Sequence, residues 1–276
     1  MADIKAADVA KLRKMTGAGM MDCKKALQEA DGDFDKATEI IRKKGQAVAS
    51  KRSDREATEG VVLAKASGDR TKGFMIVLNC ETDFVAKNDD FIKFAESILD
   101  LAIENQPANL EELNSLSLSG KTVSDAVTEQ VGIIGEKLEL SFYQMLDAAQ
   151  VTAYIHPGNN LASMIGLNQT VADEQVGKDV AMQVAAMSPV AVDKDGVPQD
   201  VQDKEIEIGK EQARKEGKPE QILEKIAMGK LNKFFKENTL LNQDFVKENK
   251  KSVKQYLQEI DKELTVTAFV RFSLKN

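Results

Sequence analysis

A strand–turn–strand–helix order occurs twice along this chain, over 61–105 and 151–187, and it restricts the fold more than any other feature. In the first copy, residues 61–66 and 74–78 are rich in β-branched and large apolar side chains and flank the turn Ser67-Gly68-Asp69-Arg70. Such a pair predicts a hairpin. A helix is expected over 88–105, with Phe91, Phe94, Ile98, Leu99 and Ala102 along one stripe. In the second copy, strands at 151–156 and 161–170 surround Pro157-Gly158-Asn159-Asn160, a strong turn signal. A helix over 173–187 follows and ends at Ser188-Pro189. The spacing also predicts helices near 109–114, 122–135 and 252–260, and strands over 137–147 and 264–274. The pattern is that of an α+β protein with two related antiparallel-sheet core subdomains.

Ahead of the first strand, residues 5–44 read as three short helices. The first carries Val9, Leu12 and Met15 at helical spacing and stops at Thr16-Gly17-Ala18-Gly19. The second, over 20–30, shows Met20, Cys23, Leu27 and Ala30. The third, over 34–44, stacks Phe34, Ala37, Ile40 and Ile41 and is expected to end at Gly45, after the basic run Arg42-Lys43-Lys44. Three helices this short enclose a small core and suit a docking module. Residues 46–59 read as a polar linker, helical at most at its start. Residues 199–236 read as two helices broken at Gly217-Lys218-Pro219. The first of these is too polar to be buried on a wide face, so the hairpin projects or pairs with another molecule. The expected division is therefore a docking module and linker at 1–55, one core subdomain at 56–147, a second at 148–198 with 237–276, and a helical hairpin at 199–236.

Charge and composition exclude several functions. The chain holds 38 Lys and Arg against 45 Asp and Glu. Residues 1–55 hold 13 basic and 9 acidic side chains, a net of +4, which leaves −11 for the rest. Binding nucleic acid needs a dense basic face, but here acids interleave with the bases and Phe34 is the segment's only aromatic. A protein partner fits such a mixed surface better. A single His leaves no room for a multi-histidine metal site, and no metal or cofactor is expected. Cys23 and Cys80 read as buried thiols in a reducing compartment. No run approaches 18 apolar residues, the N-terminus carries charge every few residues, and the expected location is the cytoplasm.

Motifs for covalent chemistry are missing. His156 is the one imidazole, and no motif sets a Ser or Cys beside it. Next to Pro157-Gly158 it reads as a surface or partner-contact residue. Gly120-Lys121-Thr122 mimics the end of a phosphate loop, but the earlier glycine and the preceding strand are absent. A capped helix start accounts for it. The chain is not read as an enzyme.

Thr82-Asp83-Phe84-Val85-Ala86-Lys87-Asn88 stands between a strand and a helix and admits two readings. In one, Asn88 or Asp89 caps the helix and Phe84 tucks into the core. In the other the loop projects, with Asp83 a charged tip and Phe84 an apolar wedge for a partner's crevice. Here a resemblance adds to the residues themselves. The stretches VAKLRKMTGAGMMDCKKAL over 9–27 and NCETDFVAKN over 79–88 closely resemble the bacterial elongation factor Ts family. The likeness extends over nearly the whole chain, including the helical hairpin and TAFVRF in the last strand.

That resemblance implies a guanine-nucleotide exchange factor for the translational GTPase elongation factor Tu. It implies that the three-helix module is ubiquitin-associated-like and docks on the GTPase domain through Arg13, Met20 and Met21. It makes Thr82, Asp83, Phe84 and Val85 the exchange loop, with Asp83 and Phe84 intruding between two helices near the partner's magnesium site. His156 falls on another contact with the same domain, and Phe245 and Val246 fall where the second core subdomain meets the partner's third domain. The hairpin at 199–236 corresponds to a projecting coiled coil that dimerises in some members, so a homodimer through it is a further expectation. Some members continue past the last strand with a helical segment that touches the GTPase; this sequence stops two residues after Leu274, and that contact is expected to be missing. The competing expectation is a non-catalytic ubiquitin-associated-type adaptor, which accounts for the first 45 residues but not for the 79–88 loop.

Overall fold

The computed structural model describes residues 4–275. Its chain begins with α1 (Ala6–Thr16), α2 (Met20–Glu29) and α3 (Phe34–Arg52), which close over Leu12, Cys23, Leu27, Ala37 and Ile41. The inner stripe of α1 runs Val9, Leu12, Thr16, at i, i+3 and i+7, so Met15 turns outward rather than joining the core. Thr16 is accommodated inside because its hydroxyl donates to the Leu12 carbonyl at 2.8 Å. Met20, expected on the inner face of α2, opens that helix and points out, while Cys23, Ala26 and Leu27 face in. Asp33 caps α3 by accepting from the Asp35 and Lys36 N–H groups. The largest difference lies in α3 itself, which passes through Gly45 and continues to Arg52. Gly45 is buried against the Gly132 backbone. It sits inside a close helix crossing, where a Cβ on Gly45 would still find the Gly132 Cα at an ordinary 3.5 Å and the strict demand for glycine falls on Gly132.

The first sheet is built from β1 (Glu59–Ala66) and β2 (Lys72–Cys80), then α4 (Asp83–Ala86), α5 (Asp89–Asn105), α6 (Leu110–Ser115), β3 (Ser117–Leu118), β4 (Lys121–Thr122), α7 (Val123–Ile134) and β5 (Glu139–Asp147). Its order is β1-β2-β5, antiparallel throughout. Thr122 caps α7 by accepting from the Asp125 N–H at 3.0 Å, the helix start that the Gly120-Lys121-Thr122 reading requires. The second sheet follows with β6 (Gln150–Ile155), β7 (Leu161–Leu167), α8 (Glu174–Met187), the hairpin α9 (Gln199–Lys215) and α10 (Glu220–Asn238), the short pair β8 (Asp244–Phe245) and β9 (Glu248–Ser252), α11 (Val253–Ile260) and β10 (Val266–Ser273). Its order is β10-β7-β6, again antiparallel. This is the α+β fold that the patterning predicts. The last strand, β10, stands beside β7 as β5 stands beside β2.

Side-chain alternation makes four layers. Phe74, Ile76, Leu78 and Cys80 of β2 face Phe91, Ile98 and Leu99 of α5. The intervening Met75 and Val77 face Val151, Ala162, Met164 and Val270 of the second sheet. Successive strand side chains point to opposite faces, so a central strand covered on both sides is apolar at nearly every position. Ile165 and Leu167 of β7 in turn pack on Val180 and Val184 of α8. The hairpin roots through Leu231 and Phe235 against Ala191 and Val197, and α9 buries only Gly209 and Ala213.

Candidate partner interface

The 81–88 segment is not an open loop but a single helical turn, α4, standing on a charged base. Thr82 caps it, and three hydrogen bonds converge on Glu136, just past the end of α7. Its carboxylate accepts from the Glu81 N–H at 3.1 Å, the Thr82 N–H at 3.0 Å and the Thr82 hydroxyl at 2.7 Å. Glu81 accepts from Arg52 at 2.6 Å, Arg55 at 3.0 Å and the Lys137 N–H at 2.6 Å. Burial alone pushes the Glu81 carboxyl up, but these donors more than offset it and hold the group at about 2. Cys80 lies beneath, donating from Sγ to the Thr82 carbonyl at 3.1 Å. Burial, reinforced by the Glu136 charge, raises its thiol to about 12, so it stays protonated and unreactive.

On this base Val85 and Ala86 turn inward onto the first-sheet core. Phe84 does the opposite and is 83% exposed, the most exposed large apolar side chain among the described residues. Asp83 is also exposed and pairs with Lys87 at 2.6 Å. That hydrogen bond and charge hold the Asp83 carboxyl below its usual value and raise the Lys87 ammonium. Of the reading's four loop residues, Asp83 and Phe84 thus point outward, and Thr82 and Val85 hold them. Asn88 caps α5, so the capping reading and the projecting reading both describe this segment, except that Phe84 does not enter the core.

The three-helix module presents Arg13, Met20 and Met21 to solvent, the two methionines 58% and 64% exposed. The salt bridge from Arg52 to Glu81 ties the far end of α3 to the base of α4. His156 is exposed, its Nδ1 3.0 Å from the Tyr154 hydroxyl. Its turn is tied to β1, where the Val62 N–H donates to the Asn159 carbonyl at 2.6 Å. Because Glu59 of β1 pairs with Cys80, the His156 turn and α4 lie toward the same end of β1.

Phe245 and Val246 form a separate corner, and here the structure corrects the expectation. Phe245 is 3% exposed and stacks on Tyr256 with ring centroids 4.3 Å apart. It is core, because the β8–β9 pair, unforeseen in the sequence, folds it under α11. Val246 is the outward member, its N–H held by Gln183 Oε1 at 2.9 Å. Glu81, Arg52 and Glu136, which brace the projecting turn, were missed. Their only local signal is charge beside a helix end, which many solvated residues share. Among the described residues no group of three or more His, Cys, Asp or Glu side chains could hold a metal ion.

An α+β scaffold that holds a phenylalanine in water on a braced turn has the form of a protein-interaction factor, since protein interfaces use exposed aromatic anchors on preorganised supports. Comparison with known proteins narrows this class. Residues 81–276 match the family model described as elongation factor TS. The chain is 54% identical over 275 residues to elongation factor Ts of Christiangramia forsetii, spanning 99% of this chain and 100% of that protein. It is 53% identical over 270 residues to elongation factor Ts of Porphyromonas gingivalis, spanning 97% of each, and 54% identical over 270 residues to that of Amoebophilus asiaticus, spanning 97% and 98%. The chain belongs to the elongation factor Ts family.

Proposed function

We propose that this chain is the guanine-nucleotide exchange factor of elongation factor Tu, and that it drives GDP release by inserting Phe84, with Asp83, beside the partner's magnesium site. The exposure of Phe84 on a prebuilt turn carries this reading: a wedge whose support is already ordered loses little entropy when it docks. Exchange follows by linkage. A factor that binds the empty GTPase better than the loaded one weakens nucleotide by the same ratio. Nucleotide phosphates are held by backbone N–H groups and by the metal, so displacing the metal side loosens them. Asp83 holds the displaced arrangement as a hydrogen-bond acceptor or by repelling the phosphates. Arg13, Met20, Met21, His156 and Val246 dock the body, and no covalent step occurs on this chain.

Release of fluorescent GDP from elongation factor Tu, with this protein substoichiometric, tests the reading. Fast multiple-turnover release is expected, and it is lost in a folded Asp83→Ala/Phe84→Ala variant. Equal acceleration by the variant would discard the wedge, and no acceleration by the unaltered protein would overturn the exchange function.

A further inference from the structure

Residues 132–136, at the end of α7, touch three things at once. Gly132 meets Gly45 at the crossing of α7 with α3, where a Cβ on Gly132 would overlap the Gly45 Cα. Ile133 lies against the α1–α2 turn, its Cδ1 3.2 Å from where a Cβ on Gly17 would be. Glu136 holds the base of α4 through Glu81 and Thr82. α3 itself spans the same distance from the other side. Ala37 and Ile41 belong to the three-helix core, Val48 and Ala49 pack on the first-sheet core, and Arg52 bonds Glu81. The Lys137 ammonium closes the joint by donating to the Ser53 carbonyl at 3.1 Å.

We infer that Gly132 and Ile133 are positioning residues: the α3–α7 crossing locks the three-helix module to the Phe84 turn, so that Met20, Met21 and Phe84 engage the partner as one preset surface. The inference rests on the proposed exchange function for its consequence, though not for its geometry. Two contact sites in a fixed relation share one loss of rotational and translational freedom, whereas two sites on a loose tether depend on effective concentration. The crossing is also asymmetric. A Cβ on Gly45 would find the Gly132 Cα at 3.5 Å, an ordinary contact, while one on Gly132 would force the backbones apart. Helix propensity alone predicts that both Gly→Ala changes stabilise. The crossing predicts that they differ.

Two measurements on the full chain test this. In the first, spin labels on Met21→Cys and Phe84→Cys report the distance between module and turn without any partner; the native Cys23 and Cys80 are buried and escape labelling. A narrow distribution is expected, unchanged by Gly45→Ala and broadened by Gly132→Ala. In the second, GDP release from elongation factor Tu is followed against concentration of the unlabelled variants. Gly132→Ala raises the half-saturating concentration roughly tenfold and leaves kcat within about twofold, and Gly45→Ala changes neither. Ile133→Ala, which loosens the same joint without inserting a side chain, moves both readouts the same way and serves where Gly132→Ala fails to fold. A distribution that stays narrow in Gly132→Ala and Ile133→Ala, or a loss confined to kcat, would overturn the inference. Failure of the unaltered protein to release GDP would overturn the exchange function instead, and the distance measurement would then decide the coupling by itself.

Discussion

The two strand–strand–helix units differ most at the connection from the second strand to the helix. Between Cys80 and Asp89 the chain makes α4, and the Glu81 and Thr82 N–H groups at its start are met from below by one carboxylate, that of Glu136. Between Leu167 and Glu174 neutral side-chain amides join the connection to the rest of the fold. Val171 donates to Gln150 Oε1 at 2.7 Å, and Asn168 joins the Glu263 carbonyl and the Thr265 N–H at 2.8 and 2.9 Å. The apolar side chains go opposite ways, with Val171 8% exposed and Phe84 83%. A charged base that satisfies its own polar groups leaves an aromatic in water, while the other connection closes the core. Two copies of one topology thus divide between exposure and packing, and the connection, not the scaffold, carries the difference.

The sharpest break of that comparison pairs two phenylalanines. Phe245→Ala removes a buried stacked ring and is expected to cost about 3–5 kcal/mol in denaturant unfolding, whereas Phe84→Ala stays within about 0.5 kcal/mol of the unaltered protein. Equal costs would mean that Phe84 packs inside in solution. Next in size is the effect on exchange. Phe84→Ala is expected to lower kcat/KM for GDP release about 30-fold, or about 2 kcal/mol, while Val171→Ala leaves it within about twofold. A comparable loss from Val171→Ala would remove the functional distinction between the two connections.

Glu136→Gln tests the charged base. It keeps an acceptor but loses the charge, and is expected to cost about 1 kcal/mol and to speed hydrogen exchange at Thr82 and Val85 without touching Val171. Uniform acceleration in both connections would show that Glu136 stabilises the whole fold rather than α4. The smallest signal is acid sensitivity. The Glu81 carboxyl is lowered in the fold from an ordinary 4.5 to about 2, so its contribution is complete above pH 4.5 and is lost as pH falls toward 2. Glu81→Gln is expected to flatten the loss of stability between about pH 4.5 and 2 relative to the unaltered protein. Parallel curves would show that the carboxylate is not held by its donors.

Much of the architecture is legible residue by residue. The alternation in β2, the Pro157–Asn160 turn, the stripe on α5, the Thr122 cap and the break at Gly217-Lys218-Pro219 all depend on neighbours in the chain, and the chain states them. The resemblance over 9–27 and 79–88 likewise lies in the order of residues alone. Other features rest on what comes to lie over a residue from far away. Gly45 reads as a helix stop until Gly132 is found against it. Met15 and Met20 fit a helical stripe but stay in water, because the three-helix core closes without them. Phe84 and Phe245 are each a phenylalanine beside an acidic residue in a connection, and no local rule separates them. Glu136 turns one outward by satisfying the backbone beneath it, and Tyr256 draws the other inward by stacking on it. Local periodicity determines elements because it needs only adjacent residues, whereas the fate of a single side chain is decided by partners on other elements, some 50 or more residues distant, which meet only when the sheets and helices close.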